Sequence, residues 1–199
     1  MIELNGKTAI VTGAGRGIGA GIAATMARLG ASVAAVDVDG DGASQQVEAI
    51  NAAGGSAVAH AGDVRDRKFL DGVVSQHGKI DILVNNAGII RDNLLENISE
   101  DDWDRVLDVN LKGAFLCSQA VAPGMKKRGY GKIVNIISAS GVTSTRSSRG
   151  ASGRLRSASI NRVLTQPGHM TETPIWAPRP WSSTSRLSDS ETTPDLVTP

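Results

Sequence analysis

Cysteine is almost absent from this chain: Cys117 is the only one in 199 residues. That excludes an intramolecular disulfide framework and any zinc site built from several cysteines. It fits a reducing setting, so a cytoplasmic location is expected. No apolar stretch approaches the roughly 20 residues that span a bilayer, so no membrane partner is expected. The start, Met1-Ile2-Glu3-Leu4-Asn5-Gly6, lacks the basic region and apolar run of a signal peptide. Charge of one sign is lacking too. The formal net charge is +1, which gives no broad field for nucleic acid or an acidic partner. Tyrosine occurs once, as Tyr130.

What is present suits one globular domain, with 40% hydrophobic and 21% charged residues. The character changes near residue 142. Residues 143–199 hold seven arginines, no lysine, and 20 serines or threonines among 57 residues, with six of the seven prolines. Arg-, Ser/Thr- and Pro-rich sequence with few apolar runs reads as an irregular segment. The chain therefore divides into a folded region, 1–142, and a degenerate C-terminal segment, 143–199.

Within 1–142, short β-branched runs alternate with helical patterns. Strands are expected at Lys7–Thr12, Ser32–Val36, Ser56–Ala61, Ile80–Val84 and Lys132–Ile137. Helices are expected at Ile18–Leu29, Ala43–Ala53 and Arg67–Gln76, with one long helix over Glu100–Lys127 capped by Ser99. Such alternation predicts an α/β fold with a doubly wound parallel sheet, Rossmann-like and three-layered, incomplete at its C-terminal edge. Ligands of such sheets sit beyond the carboxyl ends of the strands. Asp37, Asp63, Asn85–Gly88 and Ser138 all fall there.

Several residues there carry chemistry. Thr12-Gly13-Ala14-Gly15-Arg16-Gly17-Ile18-Gly19 follows a strand and opens a helix. Glycines permit a tight turn and close approach of backbone to a pyrophosphate, and the helix N-terminus supplies N–H groups and a positive dipole end. Asp37 ends the second strand, where a carboxylate accepts both adenosine-ribose hydroxyls and repels a 2′-phosphate. Arg16 pulls the other way, toward a 2′-phosphate, but the repulsion from Asp37 is direct and close. NAD is therefore expected over NADP. Ser138, past a strand end, is either a turn serine or a donor to a substrate carbonyl. Asn110, a poor helix former, either kinks the long helix, holds a water or bonds locally. Trp103 and Cys117 read as packing residues. His60, His77 and His169 show no metal-like spacing, and no metal is expected.

Together these motifs resemble the classical short-chain dehydrogenase/reductase family, most nearly its 3-oxoacyl-carrier-protein reductase and related alcohol dehydrogenase branch. The match runs through TGAGRGIG at 12–19, Asp63-Val64, NNAG at 85–88, VNLKG at 109–113 and IVNIISAS at 133–140. It covers residues 4–142. The resemblance implies a nicotinamide cofactor held by Gly13, Arg16, Gly17, Ile18, Gly19 and Asp37. It implies Asp63 and Val64 near the adenine, and Asn86, Ala87 and Gly88 along the cofactor cleft. It also implies Asn110 as the water-holding and Ser138 as the carbonyl-polarising member of a catalytic tetrad. The partner would be a small carbonyl compound or secondary alcohol.

The tetrad's Tyr-x-x-x-Lys motif is missing. It belongs about a dozen residues after Ser138, where Ala151 and Leu155 stand instead, and no tyrosine follows Tyr130 and no lysine follows Lys132. In the family that tyrosine protonates the developing alkoxide, helped by the lysine ammonium. Loss of positioned acid–base catalysis costs roughly 10²–10⁴-fold. Arg154 and Arg156 offer charge but transfer no proton. The expectation is an impaired oxidoreductase, with two alternatives: a dinucleotide-binding protein without catalysis, or a defective product whose 3′ coding region was altered. The family's tetramer is not expected, because in the family the helix that carries this motif commonly forms a subunit interface.

Overall fold

The computed structural model describes residues 3–137. Ser138, the change of character at residue 142, the segment 143–199 and His169 lie outside the described residues. The strands are β1 (Thr8–Thr12), β2 (Ser32–Asp37), β3 (Ser56–Ala61), β4 (Ile82–Asn85) and β5 (Lys132–Asn135). The helices are α1 (Gly17–Arg28), α2 (Gly40–Ala52), α3 (Arg67–His77), α4 (Glu100–Leu107) and α5 (Ala114–Arg128). A short 3-10 turn, Leu95–Asn97, precedes α4, and a π-helical segment, Asp108–Gly113, joins α4 to α5.

All strand pairs are parallel, in the order β3-β2-β1-β4-β5. This is the doubly wound α/β arrangement expected. The chain moves outward from β1 through β2 to β3, then crosses back to β4 on the other side of β1. The order reverses between β1 and β4, and a crevice opens there above the carboxyl ends.

The central strands are apolar on both faces, because helices cover both. Successive side chains of a strand point to opposite faces. Ala9, Val11, Val33, Ala35, Ile82 and Val84 join one core with Ala23 and Ala27 of α1 and Ile50 of α2. Ile10, Ala34, Val36 and Leu83 join the other with Leu70 and Val73 of α3 and Cys117, Val121 and Met125 of α5. Alanine on the first face lets α1 approach the sheet closely.

The ends are locally coded. Asp39 caps α2 by accepting from the Gly42 N–H, Asp66 caps α3, and Ser99 caps α4. Gly129 stops α5 in the left-handed region at φ 66°. At the amino ends of the strands, away from that crevice, Asp81 is fully buried and accepts from the Thr8 N–H at 3.1 Å, with Lys79 Nζ at 3.2 Å. These contacts fix β4 against β1.

Three expectations are corrected. The long helix is not continuous: Asp108–Gly113 is wound as a π-helix. The fifth strand ends at Asn135 rather than Ile137, after the Ile136 N–H donates to the Asn85 carbonyl at 2.8 Å. Trp103 is not a packing residue: it is 59% exposed, since α4 presents its apolar stripe outward.

Candidate functional site

Thr12 organises the crevice, a role the reading of the sequence did not give it. It is 1% exposed, at the end of β1. Its hydroxyl donates to the Val84 carbonyl at 3.3 Å and accepts from the Asn86 and Ala87 N–H groups, each at 3.0 Å. Asn86 returns the contact, its Nδ2 donating to the Thr12 carbonyl at 3.0 Å and the Gly13 carbonyl at 3.1 Å. The glycine loop and the NNAG loop are thereby tied together across the reversal of strand order. The residue type carried a signal, because a hydroxyl at the end of an apolar strand needs partners once buried.

Glycine is required where the loops meet. A Cβ on Gly19 would lie 1.9 Å from the Gly13 carbonyl oxygen, and one on Gly13, at φ 63°, 2.9 Å from the Ala87 Cα. Gly13, Gly19, Asn86 and Ala87 thus form one packed unit. Gly17 differs: it has φ 58° and nothing within 4 Å of its would-be Cβ. Arg16, Gly17 and Ile18 are exposed on the crevice rim.

Helix α1 begins without a cap. Arg16 stands at the N-cap position in extended conformation, with no side-chain hydrogen bond to the helix and no acid in the first turn. Helices α2, α3 and α4 are all side-chain capped. The first N–H groups of α1 therefore face the crevice with a positive dipole end and no protein acceptor from a cap.

Asp37 closes the far side of the glycine loop. Its Oδ2 accepts from the Gly15 N–H at 2.8 Å and its Oδ1 from the Asp39 N–H at 2.9 Å. These bonds hold the carboxylate at the end of β2. Each oxygen keeps a further lone pair.

Asp63 follows β3 and is engaged by Arg65, whose guanidinium spans both carboxylate oxygens at 2.6–3.0 Å. The Arg65 hydrogen bond holds the Asp63 carboxyl below the usual carboxylate range, against an opposing effect of burial. Val64 is buried and packs on the π segment: a Cβ on Gly113 would meet its Cγ2 at 2.6 Å.

Asn110 lies in that π segment. Its Oδ1 accepts from the Ile89 N–H at 2.8 Å and its Nδ2 donates to the Ile89 carbonyl at 3.0 Å. The bond is therefore not a local one: Asn110 reaches across 21 positions to Ile89, from within the π-helical turn. A Cβ on Gly88 would lie 3.3 Å from Asn110 Oδ1, so Asn110 sits directly against the NNAG loop. Asn85, beneath it, donates through Nδ2 to Ser118 Oγ at 3.1 Å and Asn135 Oδ1 at 2.8 Å. That network pins β4, β5 and α5 together where β5 leads toward Ser138.

The fold thus gathers the glycine loop, Asp37, Asn86–Gly88 and Asn110 along one end of the sheet. Cys117 is buried as expected, and burial pushes its thiol up to about 12. One pairing was not legible: His60 and His77, 17 positions apart, meet with Nε2 atoms 2.8 Å from each other.

Comparison with known proteins agrees with this geometry. The sequence profile of the family described as short chain dehydrogenase matches residues 7–150. The chain is 46% identical over 151 residues to the peroxisomal multifunctional enzyme type 2 of Drosophila melanogaster, covering 71% of this chain and 25% of that enzyme. It is 46% identical over 138 residues to a 3-oxoacyl-acyl-carrier-protein reductase of Staphylococcus epidermidis, covering 66% of this chain and 56% of the reductase. A solved 7α-hydroxysteroid dehydrogenase, complexed with NADH and 7-oxo glycochenodeoxycholic acid, superposes with a TM-score of 0.67 at 40% identity, over 71% of this chain and 56% of the other. The match spans little more than half the length of the two single-activity enzymes. With the parallel sheet order and the glycine, NNAG and VNLKG segments in place, the chain belongs to the short chain dehydrogenase family of oxidoreductases, whose members bind NAD(P).

Proposed function

We propose that this chain binds NAD(H) in preference to NADP(H) in the crevice between β1 and β4, and that its turnover of a small carbonyl compound or secondary alcohol is impaired. The observation that carries the reading is the uncapped N-terminus of α1 beside open space at Gly17, with the anchored Asp37 carboxylate across the loop. The N–H groups of Gly17, Ile18 and Gly19 would hold the pyrophosphate, with Arg16 at the rim. Asp37 would accept from the adenosine ribose and repel a 2′-phosphate. Asp63 and Val64 would border the adenine, and Asn86, Ala87 and Gly88 the nicotinamide side. The cofactor, when bound, supplies or receives a hydride.

The protein's own part in the chemistry is incomplete. Asn110 and Ser138 are the assigned catalytic residues: Ser138 would donate to the substrate carbonyl, and Asn110 would order a water. Neither supplies a proton relay of tuned pKa. The absence of tyrosine after Tyr130 and of lysine after Lys132 supports slow turnover, and it favours a second reading, a dinucleotide-binding protein without catalysis. Cytoplasmic residence is part of this proposal. Among the described residues, no helix is long and apolar enough to cross a membrane.

Titration with NADH and NADPH, followed by nicotinamide fluorescence, tests the proposal. Saturable binding with NADH the tighter is expected, and Asp37→Ser should narrow or invert that preference by about tenfold or more, since one charge–charge repulsion at this range is worth ~1–4 kcal/mol. Absence of binding by either nucleotide would overturn it. Turnover lost on Ser138→Ala would decide between impaired enzyme and binding protein.

A further inference from the structure

We propose that His60 and His77 form a two-imidazole site for a divalent transition-metal cation of the zinc, nickel or copper class, tying the edge strand β3 to α3. Their Nε2 atoms lie 2.8 Å apart. The rings are edge-on, with centroids 5.0 Å apart and planes at 70°. Both Nε2 atoms are therefore aimed at one point between the strand and the helix. In a neutral pair only one of the two can carry the hydrogen, so one imidazole already presents a lone pair there. A cation takes the place of that single shared hydrogen: the donor ring's Nε2 proton is given up to solvent while its Nδ1 takes one from solvent, so both rings stay neutral and each offers an Nε2 lone pair.

The geometry needs little adjustment. Tetrahedral coordination at N–metal distances of about 2.0–2.1 Å sets the two nitrogens about 3.3 Å apart. The rings must separate by ~0.5 Å to reach this. His60 is 8% exposed, within the sheet's packing, so it stays in place. His77 is the last residue of α3 and precedes Gly78, at φ 64°, so the movable ligand sits at a helix end and is only half-buried. The carbonyl end of α3 is the negative end of its dipole, which favours a cation. Burial favours the neutral, ligating form of both rings.

Among the described residues no group of three or more His, Cys, Asp or Glu converges. Solvent then completes the coordination sphere, through the open edge beside β3. Imidazole donors without carboxylate select zinc, nickel and copper over magnesium and calcium. Cys117 does not compete, since its thiol stays protonated inside the core.

Calorimetric titration of the full chain with ZnCl₂ and NiCl₂, paired with thermal melts, tests the site. A saturable one-to-one isotherm and a rise in Tm with added metal are expected. The chain has three histidines, so the site can be isolated: His77→Ala should abolish both signals and His169→Ala should keep both. His60→Gln should match His77→Ala. If it fails to fold, the half-buried helix-end variant still decides. Absence of saturable binding, or binding unchanged in His77→Ala, overturns the proposal and leaves the rings sharing only a hydrogen bond.

Discussion

Thr12 does more for the site than its size suggests, because one buried hydroxyl oxygen accepts from two backbone N–H groups. Thr12→Val keeps the shape and removes the acceptor. Each orphaned donor costs ~1–3 kcal/mol, so with two of them the variant should lose about 2–6 kcal/mol in denaturant unfolding and bind NADH more weakly. A midpoint equal to wild type would show that the loops hold each other without this hydroxyl. The Asp63–Arg65 pair acts through charge. The folded pKa of Asp63 is depressed, so its contribution is present above the unfolded carboxylate value, near ~4, and is lost as pH falls through the lower folded value. Arg65→Ala should reduce stability slightly at neutral pH and shift the Asp63 titration, followed by NMR, upward. Both side chains are a third or more exposed, so the stability effect should stay under about 1 kcal/mol. No upward shift would remove Arg65 as its cause. These contacts show what residue types alone cannot tell: the glycines, Asp37 and Asn86 were identifiable from their pattern after strands, whereas the partners of Thr12 and Asp63 depend on which loops the fold brings together.

Among the elements, strand and helix placement follow from alternating apolar runs and their punctuation, and the parallel sheet bears out the fold class they imply. The interruption of the long helix does not. A π segment adds a residue to one turn without changing composition, so a continuous helical pattern over 100–127 reads the same either way. The reason for it lies outside the helix. Asn110 trades both hydrogen bonds with Ile89, and Asn85 reaches the Ala114 carbonyl at 3.4 Å, so the NNAG loop grips the segment at its middle and its end. Asn110→Ala removes the first grip. Both bonds are exposed, so global stability should fall by no more than about 1–3 kcal/mol at ~0.5–1.5 kcal/mol per bond. The local effect should be larger: the Ile89 amide should exchange with solvent markedly faster, and NADH should bind less tightly. An unchanged exchange rate at Ile89 would mean that packing by Val64 and Gly113 alone keeps the segment in place.

For the whole molecule, the decisive feature is apolar surface in the wrong place for an isolated subunit. Trp103, Leu107, Leu111 and Phe115 recur every fourth residue along α4, the π segment and α5, and are 59%, 39%, 66% and 59% exposed. The spacing of apolar residues does not say which face turns inward; the core-facing set is Cys117, Val121 and Met125. A contiguous exposed apolar stripe of this kind favours association over a solvated monomer. The sequence after Ser138 holds no Tyr-x-x-x-Lys motif, and we propose an association other than the family's tetramer. Light scattering over a concentration series should therefore give a mass that rises with concentration rather than a monodisperse tetramer. Trp103→Glu combined with Phe115→Glu should lower the mass toward one chain, while leaving NADH binding unchanged, because neither side chain belongs to the crevice. A fixed tetrameric mass at all concentrations, insensitive to those two charges, would show that other surfaces make the assembly and that the stripe is incidental to it.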